Sequence, residues 1–284
     1  MKLKITTLIE NNPDDKKELI NEHGLSLFIE ADEINILFDT GQTGDFIKNA
    51  KILKKDLNCL DYIVISHGHY DHSGGLIKLV NILNKYPKLL VGEEFFKPKY
   101  KMTDEQIYKY IGNEFDEKDI LNQSISLKKV DEDIFYITDK IMVFHHFARN
   151  NDFENRNEKF YIIENNISTH DDFDDEIALA IITAKGLVVI VGCSHPGVVN
   201  ILNTIEQRTG IPIYAVIGGT HLVDADERRL QKTADALRGL NIKLIAVSHC
   251  TGEEGIKKIQ HEFSEEFIYN NTGNVMVIDD NENS

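Results

Sequence analysis

The apolar residues of this chain fall into short runs that are separated by turn-forming residues. Runs such as "LKITTLI" and "INILFDTG" are rich in β-branched and aromatic residues and are bounded by Asn, Asp, Pro or Gly, which is typical of strands. Elsewhere the apolar residues recur at helical spacing, as in "LIKLVNILNKY". A β-rich stretch followed by alternating helices and strands occurs twice, with no Pro-, Ser- or Gly-rich linker between the halves. We therefore predict one α/β domain over residues 1–284, with two sheets sandwiched between helices.

A segment at roughly 93–130 departs from this pattern. It is charged and rich in helix-forming residues, as in "DEQIYKYIGNEFDEKDIL". We predict a helical insertion that covers one side of the candidate site. A solvated helical excursion with its aromatic residues packed underneath is an equal alternative.

Three histidines and an aspartate are crowded into residues 67–72, directly after the apolar run "LDYIVIS". Such residues form strands poorly and are costly to bury unpaired. Residues two apart on an extended segment point the same way, so His67 and His69 can converge on one cation. Asp71 and His72 follow where the chain turns and can be directed at a second cation. The segment predicts a two-metal site, because a polar loop of unrelated histidines would leave the crowding unexplained.

Three later histidines follow apolar runs in the same way. His195 ends "GLVVIVGCSH", His221 ends "YAVIGGTH" and His249 lies in "KLIAVSHC". Proteins of the α/β class place their chemistry at the carboxyl ends of central strands. We predict His195 and His249 as metal ligands, and His221 as a ligand, a substrate contact or a group that supports a ligand.

Several weaker candidates each have two interpretations. Asp39 in "ILFDTG" could cap a turn, but we favour a hydrogen bond from a metal-bound histidine. His170 in "THDDFDDE" is a candidate ligand or part of a solvated loop. Of His145 and His146 at most one can face the site, because neighbours on a strand point in opposite directions.

Two further histidines, His23 and His261, are expected at the surface. Cys193 and Cys250 each adjoin a proposed ligand. A thiolate would suit zinc, but a small buried thiol is the safer expectation for each. The chain has three cysteines and no CxxC pair, which fits a reducing cytosol better than a disulfide framework.

The chain carries 47 acidic and 31 basic residues, a formal net charge of −16. This balance argues against nucleic acid as a partner, because a phosphate backbone needs a cationic surface. A small anionic substrate is still compatible, since a bound dication would reverse the local field. Arg149, Arg156 and Lys159 are the nearest cationic candidates, and we expect them to be surface charges. No stretch reaches the roughly 18 apolar residues of a membrane span, and no signal peptide is evident, so we predict a cytoplasmic protein.

These motifs resemble those of the metallo-β-lactamase superfamily. "SHGHYDHSGG" matches its HxHxDH signature, "LFDTG" its upstream strand-end aspartate, and His195 and His249 its downstream ligands. The resemblance covers nearly the whole chain and implies a four-layer αββα sandwich with one or two metal ions along one edge. More narrowly, the motifs are similar to a subgroup named after 7,8-dihydropterin-6-methyl-4-(β-D-ribofuranosyl)aminobenzene 5'-phosphate synthase.

The resemblance implies two sets of ligands: His67, His69 and His195 for one metal, and Asp71, His72 and His249 for the second. Many members have a Gly-Asp pair whose aspartate bridges the metals, whereas this chain has Gly192 and Cys193 there. Two alternatives follow. Either His195 occupies the equivalent position and His170 or Asp175 completes the first site, or the bridge is a hydroxide alone.

Residues and resemblance together predict a metal-dependent hydrolase with two divalent ions, zinc foremost and manganese or iron as alternatives. A metal-bound hydroxide would attack a phosphorus or carbonyl centre, with Asp71 as the catalytic group that orients it. We expect a small anionic substrate, a phosphoester or a pterin- or nucleotide-related ester rather than a β-lactam. The rival hypotheses are a non-heme iron redox protein, which the lack of a flavodoxin-like segment disfavours, and a metal-containing pterin- or nucleotide-binding protein without hydrolytic activity. A homodimer is compatible with the sequence.

Overall fold

The computed structural model describes residues 2–14, 16–154 and 158–280. Its strands, in chain order, are β1 (Lys2–Ile9), β2 (Ser26–Ala31), β3 (Ile34–Phe38), β4 (Tyr62–Val64), β5 (Lys88–Gly92), β6 (Lys99–Met102), β7 (Tyr108–Tyr110), β8 (Ser126–Val130), β9 (Ile134–Thr138), β10 (Ile141–Phe144), β11 (Phe160–Glu164), β12 (Ile167–His170), β13 (Ala178–Thr183), β14 (Gly186–Val191), β15 (Ile213–Gly218), β16 (Leu244–Val247), β17 (Phe267–Tyr269) and β18 (Val275–Asp279). Its α-helices are α1 (Phe46–Ile52), α2 (Tyr70–Ser73), α3 (Leu76–Val80), α4 (Glu117–Asn122), α5 (Val198–Thr209), α6 (Glu227–Gly239) and α7 (Gly252–Glu262). Arg156, one of the predicted surface cations, lies outside the described residues. None of the described helices is both long and apolar enough to cross a bilayer.

Most strands belong to two seven-stranded sheets. The first has the order β18-β1-β2-β3-β4-β5-β8, and the second has the order β17-β16-β15-β14-β13-β10-β9. One half of each sheet is antiparallel, and the other half, β3-β4-β5-β8 or β14-β15-β16-β17, is parallel. The predicted histidines follow β4, β14, β15 and β16, which all lie in the parallel halves. Because parallel strands end on the same edge of a sheet, this topology gathers the histidines.

Apolar side chains fill three layers. The middle layer lies between the two sheets and combines residues of both, such as Ile5 and Phe38 of the first with Ile190 and Ile217 of the second. Helices α1 and α3 pack on the outer face of the first sheet, and α5, α6 and α7 pack on that of the second. Sheets that are apolar on both faces must be covered on both sides. The resulting order of layers, helix, sheet, sheet and helix, confirms the predicted αββα sandwich.

The segment 93–130, predicted as a helical insertion, contains three strands and only one short helix. It contains β6, β7, the six-residue helix α4, and β8, which extends the first sheet. Strands β6 and β7 join β11 and β12 in a four-stranded sheet with the order β12-β11-β6-β7. The structure differs from the prediction because cross-strand aromatic contacts outweigh helix propensity: Tyr100 lies opposite Tyr110, with ring centroids 5.2 Å apart.

That the chain forms a single domain stays a prediction.

Candidate metal centre

The loop after β4 brings two imidazole rings together in an edge-to-face arrangement, with their centroids 4.5 Å apart. His69 has extended backbone immediately before α2, and His67 Nε2 lies 3.0 Å from His69 Nδ1. Two imidazole nitrogens that bind one zinc ion at about 2.0–2.1 Å in tetrahedral geometry are roughly 3.3 Å apart. Gly68 between them is required, because a Cβ there would lie 2.3 Å from the Phe95 carbonyl oxygen. The pair is therefore arranged like two ligands of one cation.

His195, which follows β14, completes a first set of donors, named group 1. The ligand atoms of His67, His69 and His195 lie within 4.8 Å of one another, and all three residues are buried. Among the described residues, His69 Nε2 and His195 Nε2 find no hydrogen-bond partner. Buried polar nitrogens without a partner are costly, and a cation bound within the group would remove part of that cost. Group 1 fits a metal ion.

Asp71, His72 and His249 form a second set of donors, named group 2. His72 Nε2 lies 3.2 Å from His249 Nε2, and Asp71 Oδ2 lies 3.4 Å from that same His249 atom. His249 Nδ1 donates to Asn11 Oδ1 at 2.8 Å, which leaves Nε2 as the nitrogen that faces the group. Group 2 joins ligands predicted from the β4 loop and from the end of β16, and its spacing also fits one cation.

His23 is part of the site, although the sequence predicted it at the surface. Its side chain is 52% exposed, yet Nε2 lies 3.1 Å from Asp71 Oδ2. The Leu25 N–H donates to the backbone carbonyl of Asp71 at 3.2 Å and holds this loop against the segment that carries the candidate ligands. Burial opposes ionisation of Asp71, but the charge of His72 and a hydrogen bond from His23 hold its pKa well below the usual range. No periodicity or strand end marks His23 in the sequence, because a tertiary contact alone brings it to the site.

Cys193 lies between the two groups. Its Sγ is 3.2 Å from His72 Nε2, and it belongs both to a compact donor set with His67 and His72 and to another with His249 and Cys250. A thiol therefore occupies the position at which the resemblance implies a bridging aspartate. Burial raises the pKa of the Cys193 thiol, and the neighbouring Cys250 raises it further. The thiol stays protonated until a cation displaces the proton.

Burial keeps most of these histidines neutral. Desolvation holds the pKa of His67 and of His195 well below the usual value, and it lowers the pKa of His69 to about 3 and that of His249 to about 4. A neutral imidazole can bind a cation without first releasing a proton. The site therefore offers ready nitrogen donors at physiological pH.

Asp39 fixes the orientation of the His72 ring through a hydrogen bond. His72 Nδ1 donates to Asp39 Oδ2 at 2.6 Å, which leaves Nε2 free to face group 2. Asp39 also accepts from the Ser66 N–H at 2.7 Å and from the Ser66 hydroxyl at 2.9 Å. Although burial opposes a charged imidazole, Asp39 and Asp71 raise the pKa of His72 to about 9. Asp39 thus accepts a hydrogen bond from the candidate ligand His72, which is the interpretation favoured from the sequence.

Two buried glutamates hold the other histidine segments by their backbones. Glu176 accepts from the N–H groups of Ser194 at 2.6 Å and His195 at 2.8 Å. Glu10 accepts from the His249 N–H at 2.7 Å. A carboxylate that accepts hydrogen bonds from a backbone segment holds that segment in place and so fixes the direction of the histidine side chain that the segment carries. Neither glutamate could be identified from the sequence, because each of these hydrogen bonds joins separate parts of the chain and no local sequence pattern marks them.

Lys99 and Asp175 support the loop between His67 and His69. Asp175 Oδ2 accepts from the Gly68 N–H at 2.7 Å, and its Oδ1 accepts from Lys99 Nζ at 2.9 Å. Lys99 also donates to Asp171 at 2.9 Å, and all three side chains of this ion cluster are buried. Since both oxygens of Asp175 are engaged, the structure makes Asp175 a support of the loop instead of a donor to group 1.

Three other histidines named as candidates lie outside both groups. His170 ends β12, and its Nε2 lies 3.2 Å from Glu158 Oε2. His145 donates to the Asp174 carbonyl, and His146 Nδ1 lies 3.1 Å from Asp133 Oδ1. None of the three belongs to group 1 or group 2.

A cavity of about 360 Å³ opens beside both groups. His221 lines it together with members of the two groups, and its ring centroid is 4.4 Å from that of His195. Burial lowers the pKa of His221 to about 4, so its ring is neutral. Because His221 belongs to neither group, its position suits contact with a substrate.

Two lysines that the sequence analysis did not single out also line this cavity, Lys101 on β6 and Lys109 on β7. Tyr70 lies beside them. Arg149 and Lys159, which the sequence analysis named as the nearest cations, do not line it. The cationic side chains nearest the candidate metal centre therefore come from the four-stranded sheet.

Comparison with known proteins identifies the family. Residues 20–249 match the family described as the metallo-beta-lactamase superfamily. The chain is 32% identical, over 96% of each chain, to a Methanocaldococcus jannaschii protein named 7,8-dihydropterin-6-methyl-4-(beta-D-ribofuranosyl)-aminobenzene-5'-phosphate synthase. It is 29% identical to uncharacterized protein MJ0448 of the same organism, over 96% of this chain and 100% of the other. Among solved structures it is similar to Tm1679, described as a metal-dependent hydrolase of the beta-lactamase superfamily, with a TM-score of 0.84 and 29% identity over 96% of this chain and 98% of that one. The resemblance is confirmed, and the chain belongs to the metallo-beta-lactamase superfamily.

Proposed function

We propose that this protein is a metal-dependent hydrolase that holds two divalent ions, one in group 1 and one in group 2, and acts on a small anionic molecule. The main support is that six ligands, predicted from three strand ends, meet as two compact groups. One buried nitrogen of group 1, His195 Nε2, lacks a hydrogen-bond partner among the described residues. Membership of a superfamily that commonly binds divalent metals agrees with this proposal.

The donor atoms favour zinc. The two groups supply imidazoles and one carboxylate, and Cys193 adds a sulfur between them. Nitrogen and sulfur donors are the ligands that zinc prefers, while manganese and iron are alternatives because they also accept imidazole and carboxylate. When bound, the ions would supply a water activated near neutral pH and a positive charge opposite a developing oxyanion.

Asp71 is the residue that we assign to catalysis. Its ionised carboxylate lines the cavity and is contacted by His23 at 3.1 Å and by His249 at 3.4 Å. A carboxylate so held can orient an attacking water or accept its proton. The neutral ring of His221 faces the same cavity and can donate a hydrogen bond to a substrate oxygen.

The name of one relative agrees with a phosphorylated substrate, and the description of another agrees with hydrolysis. The name of the Methanocaldococcus jannaschii relative contains a dihydropterin and a 5'-phosphate, and Tm1679 is described as a metal-dependent hydrolase. We propose a phosphoester or a pterin- or nucleotide-related ester as the substrate. A synthase reaction on a phosphorylated pterin is the second candidate, which the relative's name favours. Release of product from a single phosphoester would identify a hydrolase, whereas turnover that needs two organic substrates would identify a synthase.

Protein purified without added metal will contain about two equivalents of divalent metal, and the Asp71→Ala and His249→Ala variants will contain about one. Each substitution removes a donor of group 2 and leaves the side chains of group 1 in place. Elemental analysis of the purified proteins measures the metal content and identifies the metal. His261→Ala is the matched control, because His261 is 85% exposed and belongs to neither group.

A wild-type protein that holds less than one equivalent after reconstitution with zinc would refute the metal site. Stoichiometric iron combined with an absence of phosphoester turnover would favour the redox rival. Stoichiometric zinc in a protein that binds nucleotides or pterins without turnover would favour the non-catalytic rival.

Cobalt-substituted protein will show an intense near-ultraviolet absorption band from a thiolate bound to the metal, and Cys193→Ser will lose that band. The expectation follows from the 3.2 Å between Cys193 Sγ and His72 Nε2 and from the affinity of soft thiolates for such metals. Cys59→Ser is the control, because Cys59 is exposed. A band that persists in Cys193→Ser and disappears in Cys250→Ser would assign the sulfur ligand to the other cysteine.

A further inference from the structure

The four-stranded sheet presents two lysines side by side to the cavity. Lys101 on β6 lies directly opposite Lys109 on β7, and Phe160 on β11 lies opposite Lys101 on its other side. All three residues line the cavity beside groups 1 and 2. They form a row across three neighbouring strands, which is named the lysine row.

Neither lysine of this row forms a close ion pair with a described carboxylate, although the charge of Lys101 contributes, after that of Lys159, to lowering the pKa of Asp104. In the part of the chain that the structure describes, no carboxylate oxygen lies within 4.0 Å of either ammonium group. Like charges opposite each other on adjacent strands destabilise a sheet. An anion that bound both lysines would remove this repulsion through charge-assisted hydrogen bonds.

We propose that Lys101 and Lys109 bind a phosphate group of the substrate that is separate from the bond that reacts. The inference rests on the proposed function, since groups 1 and 2 define where the reaction occurs. Lys101 Nζ lies 5.4 Å from the centre of the Phe160 ring, and that ring stacks on His69 of group 1 with centroids 5.6 Å apart. One aromatic ring therefore separates the ammonium group from the metal ligands. The substrate is a small organic phosphate in which the distance between this phosphate and the reacting bond matches the distance between the lysine row and groups 1 and 2.

Lys99 fixes the lysine row relative to the metal-binding loop. Residues two apart on a strand face the same side, so Lys99 and Lys101 share one face of β6. Lys99 is buried and bonded to Asp175, which in turn holds the Gly68 N–H between two ligands of group 1. A substrate that must contact both the metal centre and the lysines needs such fixed geometry.

The test compares two ligands on the protein purified with its metal. Phenyl phosphate carries one phosphate, and benzene-1,4-diyl bis(phosphate) carries a second phosphate across the ring. By titration calorimetry, wild-type protein will bind the bisphosphate about tenfold or more tightly, the effect expected of one additional charged contact. The Lys101→Met/Lys109→Met variant will lose this advantage, whereas Lys101→Arg/Lys109→Arg will keep it. Lys51→Met/Lys118→Met removes the same charge from two exposed positions and is the matched control.

Equal affinity of the wild-type protein for both ligands would overturn the proposal, and so would an advantage that survives in the Lys101→Met/Lys109→Met variant. The metal content is measured separately. If the protein binds no metal but the methionine variant still loses affinity for the bisphosphate, the hydrolase proposal fails and the phosphate site remains supported.

Discussion

Replacing Asp39 with alanine will reduce the metal content to about one equivalent and lower the free energy of unfolding by about 3–5 kcal/mol. Asp39 is completely buried and accepts hydrogen bonds from Ser66 and from His72 Nδ1. Its removal leaves these donors buried without an acceptor, and His72 loses the group that fixes its ring. Urea denaturation of the wild-type and variant proteins, combined with elemental analysis, measures both effects.

Asp39→Asn separates the loss of charge from the loss of volume. The amide keeps the size and one acceptor, so we expect a smaller loss of stability and a metal affinity reduced by about 10–100-fold. Asp139→Ala, at an exposed position, controls for the removal of a carboxylate. Wild-type stability and metal content in Asp39→Ala would show that His72 does not depend on this aspartate.

The Lys99→Met substitution will lower the free energy of unfolding by about 3–5 kcal/mol, because it leaves the carboxylates of Asp171 and Asp175 buried together without a counter-charge. Burial opposes the charge of Lys99, but Asp175 and Asp171 outweigh it and raise the pKa of Lys99 above its usual value. Since Asp175 also holds Gly68, we expect weaker metal binding in group 1 as well. Denaturant unfolding and competition with a chelator measure the two effects.

The matched control for this substitution is Lys97→Met. Lys97 pairs with Glu94 and is 36% exposed, so its loss should cost about 1 kcal/mol or less. A second change, Lys99→Met/Asp171→Asn, should recover part of the stability by removing one of the uncompensated charges. If Lys99→Met and Lys97→Met unfold at the same urea concentration, the buried ion cluster does not support the loop.

The side chains that gather in groups 1 and 2 could be predicted as candidate ligands because local patterns mark their positions. The segment that contains His67 and His72 concentrates costly polar residues directly after an apolar strand. His195 and His249 each follow another apolar run, and the parallel arrangement of β14 and β16 carries both to one edge. The period of the hydrophobic pattern and the placement of polar residues at its ends were sufficient for these positions.

The rest of the site depends on contacts between distant segments, which no local pattern reveals. His23 reaches Asp71 because the loop before β2 packs against α2. Strands β6 and β7 were predicted as part of a helical insertion because they are short and charged, and their stability comes from the pairing of β6 with β11, much farther along the chain. Pairing of β6 with β11 also brings Phe160 into the lysine row, and a separate contact between the two large sheets places Cys193 beside His72.

The distribution of the donors over the two large sheets has a consequence for unfolding. His72 and His249 are 177 residues apart in the chain and follow strands of different sheets, and group 1 joins the same two sheets through His67 and His195. An ion in either group is therefore a removable cross-link between the two halves of the sandwich, and it stabilises only the state in which they are docked. With the ions in place, neither half can open without breaking metal–ligand bonds, so the two sheets unfold together. Without them, docking depends mainly on the apolar layer between the sheets, and the resistance of the protein to proteases then varies with the supply of metal.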